Sequence, residues 1–188
     1  MNWIHQIDED AANADLAAVF ARIRKQRGRI ADILRVQSLD PGALQAHFDL
    51  YMHLMFDRGP LSRMEREAIA VAVSAENGCA YCVAHHFEAL QHYVRDPVQL
   101  EAVRDGRRQA LSPRLAVLLD HARRLTRHPI SCESDDLEDL RHAGLQDADI
   151  LRLTLIVAYF NFVNRLAIGL GVAVTDEDMR GYRVDAEA

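Results

Sequence analysis

Apolar residues recur every three or four positions along most of the chain, and this spacing predicts amphipathic helices. The first helix is expected over residues 8–25. Its apolar face would consist of Leu16, Val19, Phe20 and Ile23. The same periodicity, read together with capping residues and proline or glycine breaks, predicts eight further helices. They are expected at about 30–36, 41–56, 63–75, 79–93, 97–103, 113–127, 135–142 and 147–169.

The helix expected at 63–75 differs from the others because it is apolar on nearly every side. Ser62 with Glu65 three residues later has the pattern of a capping box, and the run AIAVAV follows. Asn77-Gly78 ends the helix, since glycine adopts the left-handed conformation that terminates helices. No long segment alternates in the manner of a strand. These patterns predict an all-α helical bundle with this helix in its centre.

The composition agrees with a single helical domain. The chain has 188 residues, 49% of them hydrophobic, with only nine glycines and five prolines. No Pro/Gly/Ser-rich linker or shift in composition divides it. We therefore predict one all-helical domain over 1–188, with an N-terminal helical extension at 1–40, a core at 41–174 and an acidic tail at 175–188.

Charge and hydropathy exclude several classes of function. The net charge is −6, and no basic face indicates binding to nucleic acid. The first sixteen residues lack the basic start and apolar core of a secretory signal. The longest apolar run, 151–163, is interrupted by Arg152, Thr154 and Asn161, so we expect no membrane span. We predict a cytoplasmic protein, in which three cysteines argue against a disulfide framework.

The stretch NGCAYCVAHH, at 77–86, is the candidate reactive site. At 100° per residue, a helix that begins near Cys79 places Cys79, Cys82 and His86 on one face. His85 points elsewhere. The free N–H groups at a helix start favour an anion, so a thiol in that position has a lowered pKa and is reactive. The second cysteine is near enough to close a reversible disulfide.

Glu67 is the one acid on the apolar stretch between Arg66 and Ala75. A carboxylate inside an apolar helix is costly unless it has a partner. The Asn-Gly turn sends the chain back beside this helix, which allows Glu67 to face His86. The residues thus predict a relay of carboxylate, imidazole and thiol in which Glu67 orients His86 as a base.

The arrangement Glu-(eleven residues)-Cys-x-x-Cys-x-x-x-His, formed by Glu67, Cys79, Cys82 and His86, resembles the signature of the alkyl hydroperoxidase D family. That family lies within the carboxymuconolactone decarboxylase-like superfamily. The segments PLSRMEREAIAVAVSAENGCAYCVAHH and IVAYFNFVNRLAIGLGV resemble its branch of peroxidase-related enzymes, so that the resemblance covers most of the chain.

The resemblance implies an all-helical fold that forms homo-oligomers, namely dimers, trimers or hexamers. It also implies a thiol-dependent peroxidase or disulfide oxidoreductase that takes a hydroperoxide as substrate, uses a thiol or protein reductant and needs no cofactor or metal. In the family's scheme Cys82 forms the sulfenic acid, Cys79 resolves it, and Glu67 and His86 relay protons. The residues alone leave the order of the cysteines open. Where the founding enzymes carry a histidine, this chain has Tyr81, which is a poor proton carrier at neutral pH.

The same residues allow other interpretations. Cys79 and Cys82 with His85 or His86 supply three zinc ligands, but no fourth ligand follows at a typical spacing. The cysteines can also be inert core residues. A redox sensor or binding protein of the same fold would oxidise once and stop. A non-redox lactone decarboxylase would not need two cysteines.

Overall fold

The computed structural model describes residues 2–174, and this part of the chain contains nine α-helices, three short 3-10 turns and no strand. The α-helices are α1 (Ala14–Arg27), α2 (Asp32–Arg35), α3 (Pro41–Phe56), α4 (Arg63–Glu76), α5 (Ala80–Gln91), α6 (Pro97–Asp105), α7 (Pro113–Arg127), α8 (Ser134–His142) and α9 (Asp147–Gly169). The predicted all-α class is confirmed, and each predicted helix has a counterpart. The predicted acidic tail at 175–188 lies outside the described residues.

Helix α4 forms the centre of the bundle. Its ten successive residues from Glu65 to Ser74 are all buried, and the helix packs against α5, α7 and α9. The predicted capping box is present, because the Ser62 side chain accepts from the Glu65 backbone N–H while the Glu65 carboxylate accepts from the Ser62 N–H. A helix that is apolar on all sides is stable only inside a core, which explains its position.

The start of α1 differs from the prediction of a helix from residue 8. Residues Glu9–Ala11 form a 3-10 turn, and α1 begins at Ala14. The side chain of Asn13 accepts a hydrogen bond from the Leu16 N–H at 3.0 Å and so caps the helix. Periodic apolar positions define the buried face of a helix, whereas a capping side chain decides where it begins.

The N-terminal segment has a small hydrophobic cluster of its own, shared with the first half of α3. Its fully buried members are Leu16, Ile23, Leu44 and Phe48. Hydrogen bonds then join this segment to the remainder of the bundle. The Ile33 N–H donates to the Tyr81 hydroxyl at 3.3 Å, and the Trp3 N–H donates to the Leu170 carbonyl at 2.9 Å. The N-terminal segment is thus held against the start of α5 and the end of α9, although both are far from it in sequence.

Helix α9 is long and apolar enough, by length and composition alone, to cross a membrane. Uninterrupted apolar runs do not reveal this property. Polar residues interrupt the helix, but they are too few to lower its average hydropathy. Half of its most apolar window is buried inside the fold, and the core helices of soluble proteins pass the same test. Its length is therefore weak evidence for a membrane span.

Candidate active site

The two cysteines of the candidate site lie where the chain reverses between α4 and α5. Asn77 ends α4, and Gly78 follows with a φ of +66°, in the left-handed region that glycine adopts without strain. Cys79 is then the N-cap residue of α5, and its N–H donates to the Ser74 carbonyl at 2.9 Å. Cys82 lies within the first turn, and each cysteine is only 2% exposed. Both thiols are thus held at a helix start inside the core.

The position of Cys79 favours its thiolate. Hydrogen bonding by the Cys82 thiol lowers the pKa of Cys79 to about 7, against an opposing effect of burial. The backbone N–H groups of Cys82 and Tyr81 and the side chain of Asn164 lower this pKa further. Because these donors gather at a helix N-terminus, the negative charge is stabilised where the helix dipole is positive.

Cys82 has the opposite tendency. Its hydrogen bond to Cys79, its burial and the nearby charge of Cys79 together raise the pKa of the Cys82 thiol well above its usual value. Two interacting groups of this kind titrate as a pair, and the backbone N–H donors at the helix start favour the resulting negative charge on Cys79. The scheme implied by the family resemblance gives the attack to Cys82, so the electrostatics of the reduced pair favour the reverse order.

Glu67 and His86 are brought together, as the sequence predicts. The His86 Nδ1 lies 2.7 Å from the Glu67 Oε2, and the Glu67 side chain is only 1% exposed. Burial raises the pKa of Glu67, but the charges and hydrogen bonds of His86 and Arg63 outweigh it and lower the pKa overall. Glu67 therefore stays ionised, and a carboxylate that accepts from Nδ1 leaves Nε2 as the ring nitrogen for proton exchange.

Arg63 is a member of the site that sequence reasoning missed. Its Nε and Nη2 lie 2.9 Å and 2.6 Å from the Glu67 Oε1. Its Nη1 donates to the Met55 carbonyl at 2.8 Å, and its guanidinium lies 3.7 Å from the centre of the Phe56 ring. The spacing of four residues between Arg63 and Glu67 on one helix is the signal that would have found it. Each carboxylate oxygen of Glu67 thus has a cationic or imidazole partner.

Tyr81 is used in packing at the place where the founding enzymes carry a histidine. Its ring centre lies 4.3 Å from that of His85, and its hydroxyl accepts from the Ile33 N–H. The residue is only 4% exposed. A buried hydroxyl that ties α5 to α2 is better suited to hold the thiol turn in place than to carry protons.

A zinc site is the main alternative interpretation of these residues. Among residues 2–174, no group of three or more His, Cys, Asp or Glu side chains is placed to hold a metal ion. His86, one of the ligands considered from the sequence, is directed to Glu67 instead.

The reactivity of the thiol pair should depend on pH near neutrality. A pKa of about 7 for Cys79 makes its thiolate increase between pH 6 and pH 8. We expect the rate of alkylation by iodoacetamide to rise with pH with a midpoint near that value, measured in a Cys132→Ser background. Cys82→Ala should move the midpoint upward, because the Cys82 thiol is the main donor to Cys79 and alanine has no donor to replace it. An unchanged midpoint in Cys82→Ala would contradict the hydrogen-bonded pair.

Comparison with known proteins places these features in a family context. The profile of the carboxymuconolactone decarboxylase family matches residues 41–127, a segment that contains both cysteines, Glu67 and His86. The chain is 31% identical over 86 residues to a protein named alkyl hydroperoxide reductase from Mycobacterium tuberculosis. That match covers 46% of this chain and only 25% of the relative.

Two solved structures resemble the whole fold. One is an uncharacterised peroxidase-related protein with an alkylhydroperoxidase AhpD core from Ralstonia eutropha JMP134, with a TM-score of 0.84 and 28% identity over 95% of this chain and 94% of that one. The other is an uncharacterised peroxidase-related protein from Silicibacter sp. TM1040, with a TM-score of 0.84 and 29% identity over 97% and 96% of the two chains. The similarity thus includes the N-terminal segment as well as the core.

Proposed function

We propose that this chain, which belongs to the carboxymuconolactone decarboxylase-like superfamily and to its alkyl hydroperoxidase D-like, peroxidase-related branch, is a thiol-dependent oxidoreductase that reduces hydroperoxides. The observation that carries the proposal is the pairing of two cysteines at a helix N-terminus with a buried Glu67–His86 pair on the adjoining helices. A reactive thiolate and a proton relay are the two components that peroxide reduction by thiols requires.

The proposed reaction begins with the thiolate of Cys79. It attacks one oxygen of the hydroperoxide, so that an S–O bond forms while the O–O bond breaks, and Cys79 becomes a sulfenic acid. The alkoxide that leaves is protonated through His86, which passes on the proton lost by the Cys79 thiol, and it departs as an alcohol. Glu67, whose Oε2 lies 2.7 Å from the His86 Nδ1, fixes the orientation of the ring.

The second half of the reaction uses Cys82. Its sulfur attacks the sulfenic sulfur of Cys79, a disulfide forms, and the hydroxide that leaves departs as water with the Cys82 proton. An external dithiol then reopens the disulfide and returns two electrons and two protons. The need for such a reductant fits a reducing compartment, so we place the protein in the cytoplasm.

Consumption of cumene hydroperoxide by the wild-type protein tests this function. With dithiothreitol we expect many equivalents to be consumed per chain. Without it we expect one equivalent and one intramolecular disulfide, detected by mass spectrometry. A redox sensor would consume one equivalent and barely cycle with dithiothreitol. A protein with intact thiols that leaves the hydroperoxide untouched would sink the proposal and favour non-redox chemistry of the same superfamily.

We further propose that the protein forms a homodimer through the outer face of α9. Exposed residues on this face follow heptad spacing, namely Leu151, Leu155, Ala158 and Phe162. Two antiparallel copies of the helix would place Leu151 opposite Phe162 and Leu155 opposite Ala158. The same register sets the acidic N-terminal turn of one copy beside the exposed Arg165 of the other, so the charges are complementary.

Light scattering after size exclusion tests the dimer. We expect the wild-type mass to be twice that of the chain at micromolar concentrations, and Leu155→Glu to shift it to the monomer because a charge would be buried in the seam. Ile130→Glu is the matched control, since Ile130 is 99% exposed and lies far from α9 in sequence. A monomeric wild type, or a dimer that tolerates Leu155→Glu, would refute this interface.

A further inference from the structure

Asn164 is a fully buried polar residue on α9 that lies beside the thiol turn. It is 0% exposed, although α9 is otherwise lined by apolar side chains on its inner face. A buried amide without hydrogen bonds would destabilise the fold. Asn164 therefore needs hydrogen-bond partners, and these partners indicate its role.

The orientation of the Asn164 amide is fixed by two neighbours at the end of α4. The Asn77 Nδ2 donates to the Asn164 Oδ1 at 2.9 Å, and the Asn164 Nδ2 donates to the Ser74 Oγ at 3.0 Å. The carbonyl end therefore faces the turn before Cys79, and the NH₂ end faces Ser74. This arrangement leaves one further N–H of Asn164 to donate elsewhere.

That remaining donor acts on the cysteines. Hydrogen bonding by the Asn164 side chain contributes to the lowered pKa of Cys79 and opposes the raised pKa of Cys82. The contact crosses from α9 to the start of α5, which are separated by most of the C-terminal half of the chain.

We propose that Asn164 is a further catalytic residue, whose amide N–H holds the negative charge of the cysteine pair while one sulfur attacks and the other resolves. This inference rests on the proposed thiol chemistry. It adds a donor from a second helix to those that the N-terminus of α5 supplies. Because the amide interacts with both sulfurs, it can stabilise the negative charge on either one when the proton moves between them.

Thiolate titration in variants of the full chain tests the inference without requiring peroxide turnover. Asn164→Ala and the better-filling Asn164→Leu should raise the pKa for iodoacetamide alkylation by about one unit or more, since a hydrogen bond to a charged group is lost. The thiolate fraction below that pKa would fall roughly tenfold. Asn161→Ala is the matched control, because the Asn161 Oδ1 also accepts from Asn77 but its NH₂ donates to Thr126 and Val157.

A second measurement uses the wild-type protein and so does not depend on the folding of any variant. The side-chain amide resonances of Asn164 in ¹⁵N spectra should shift with the same midpoint as thiol ionisation, whereas those of Asn161 should not. Unchanged alkylation midpoints in folded Asn164 variants, equal shifts in Asn161→Ala, or static Asn164 resonances would overturn the inference. Shifted midpoints in a protein that consumes no hydroperoxide would support Asn164 and reject the proposed peroxidase activity instead.

Discussion

Replacing Cys79 by serine is expected to abolish hydroperoxide reduction, with a loss of roughly 10³-fold or more in turnover. Serine keeps the size and the hydrogen bonds of cysteine, but its hydroxyl does not ionise near neutral pH. The nucleophile is therefore lost while the fold is kept. The measurement is the amount of hydroperoxide that the reduced protein consumes without dithiothreitol. A variant that lacks the attacking thiol consumes none, whereas a variant that lacks only the resolving thiol still does.

Cys82→Ser should behave differently, because it removes the resolving thiol and keeps the attacking one. We expect one equivalent of hydroperoxide to be consumed without reductant, and a sulfenic acid to remain on Cys79, where dimedone traps it for mass spectrometry. A sulfenic acid trapped on Cys82 in the Cys79→Ser variant would show instead that Cys82 attacks. That outcome would restore the order that the family resemblance implies and reject the order favoured by the pKa of Cys79.

Replacing Glu67 is expected to affect both stability and chemistry. Glu67→Leu leaves Arg63 partly buried without its carboxylate and removes the acceptor of His86. Breaking a buried ion pair on one side costs about 3–5 kcal/mol. Glu67→Gln keeps the shape, but its NH₂ would face His86 Nδ1 and favour the wrong tautomer. We expect peroxidase turnover to fall by about 10²- to 10⁴-fold in Glu67→Gln, as for the loss of a general acid-base.

Two further variants separate folding from chemistry. Arg63→Met combined with Glu67→Leu should recover much of the stability, because an apolar pair removes both charges together, while turnover stays low. Glu76→Gln is the matched control on the same helix, where Glu76 pairs with Arg123 and Arg127. It should lower the midpoint of urea unfolding without changing the pH profile of turnover. Normal turnover in folded Glu67→Gln would exclude the relay.

The stability effect of Glu67 also has a defined pH window. Its pKa is lowered in the folded protein from its ordinary value of 4.5. The unfolded chain therefore binds a proton at a higher pH than the folded chain does. The contribution of Glu67 is present above that ordinary value and is lost as the pH falls through the folded pKa. Urea midpoints measured between pH 3 and pH 6 should thus fall more steeply for wild type than for Glu67→Gln.

The sequence predicted the helices and the contact between Glu67 and His86 well because both depend on short-range patterns. Apolar periodicity identifies helices, and the turn at Gly78 follows from local chemistry. Glu67 could be predicted to face His86 because one tight turn joins their two helices. The predicted start of α1 was wrong, since Asn13 caps a helix that begins at Ala14, six residues after the predicted start at residue 8.

The rest of the site could not be predicted, because it depends on contacts between distant elements. Asn164 reaches the thiols only after α9 packs beside α4, and periodicity does not indicate which helices are neighbours. The difference in pKa between Cys79 and Cys82 depends on which sulfur receives more hydrogen bonds, and spacing alone places both on one face. Arg63 was missed although its spacing to Glu67 was visible, since an arginine at a helix start usually lies on a solvated surface.

The residues of the candidate site are separated by different numbers of residues along the chain. This separation affects the order in which their contacts form during synthesis. Glu67, Cys79 and Cys82 belong to two successive helices, so their contacts can form early, as local contacts generally do. Asn164 belongs to α9, the last helix of the described residues, and leaves the ribosome much later. If Asn164 acts as proposed, the thiol pair lacks one of its charge-stabilising donors until α9 docks. We therefore expect the cysteines of an unfinished chain to react more slowly with oxidants than those of the folded protein.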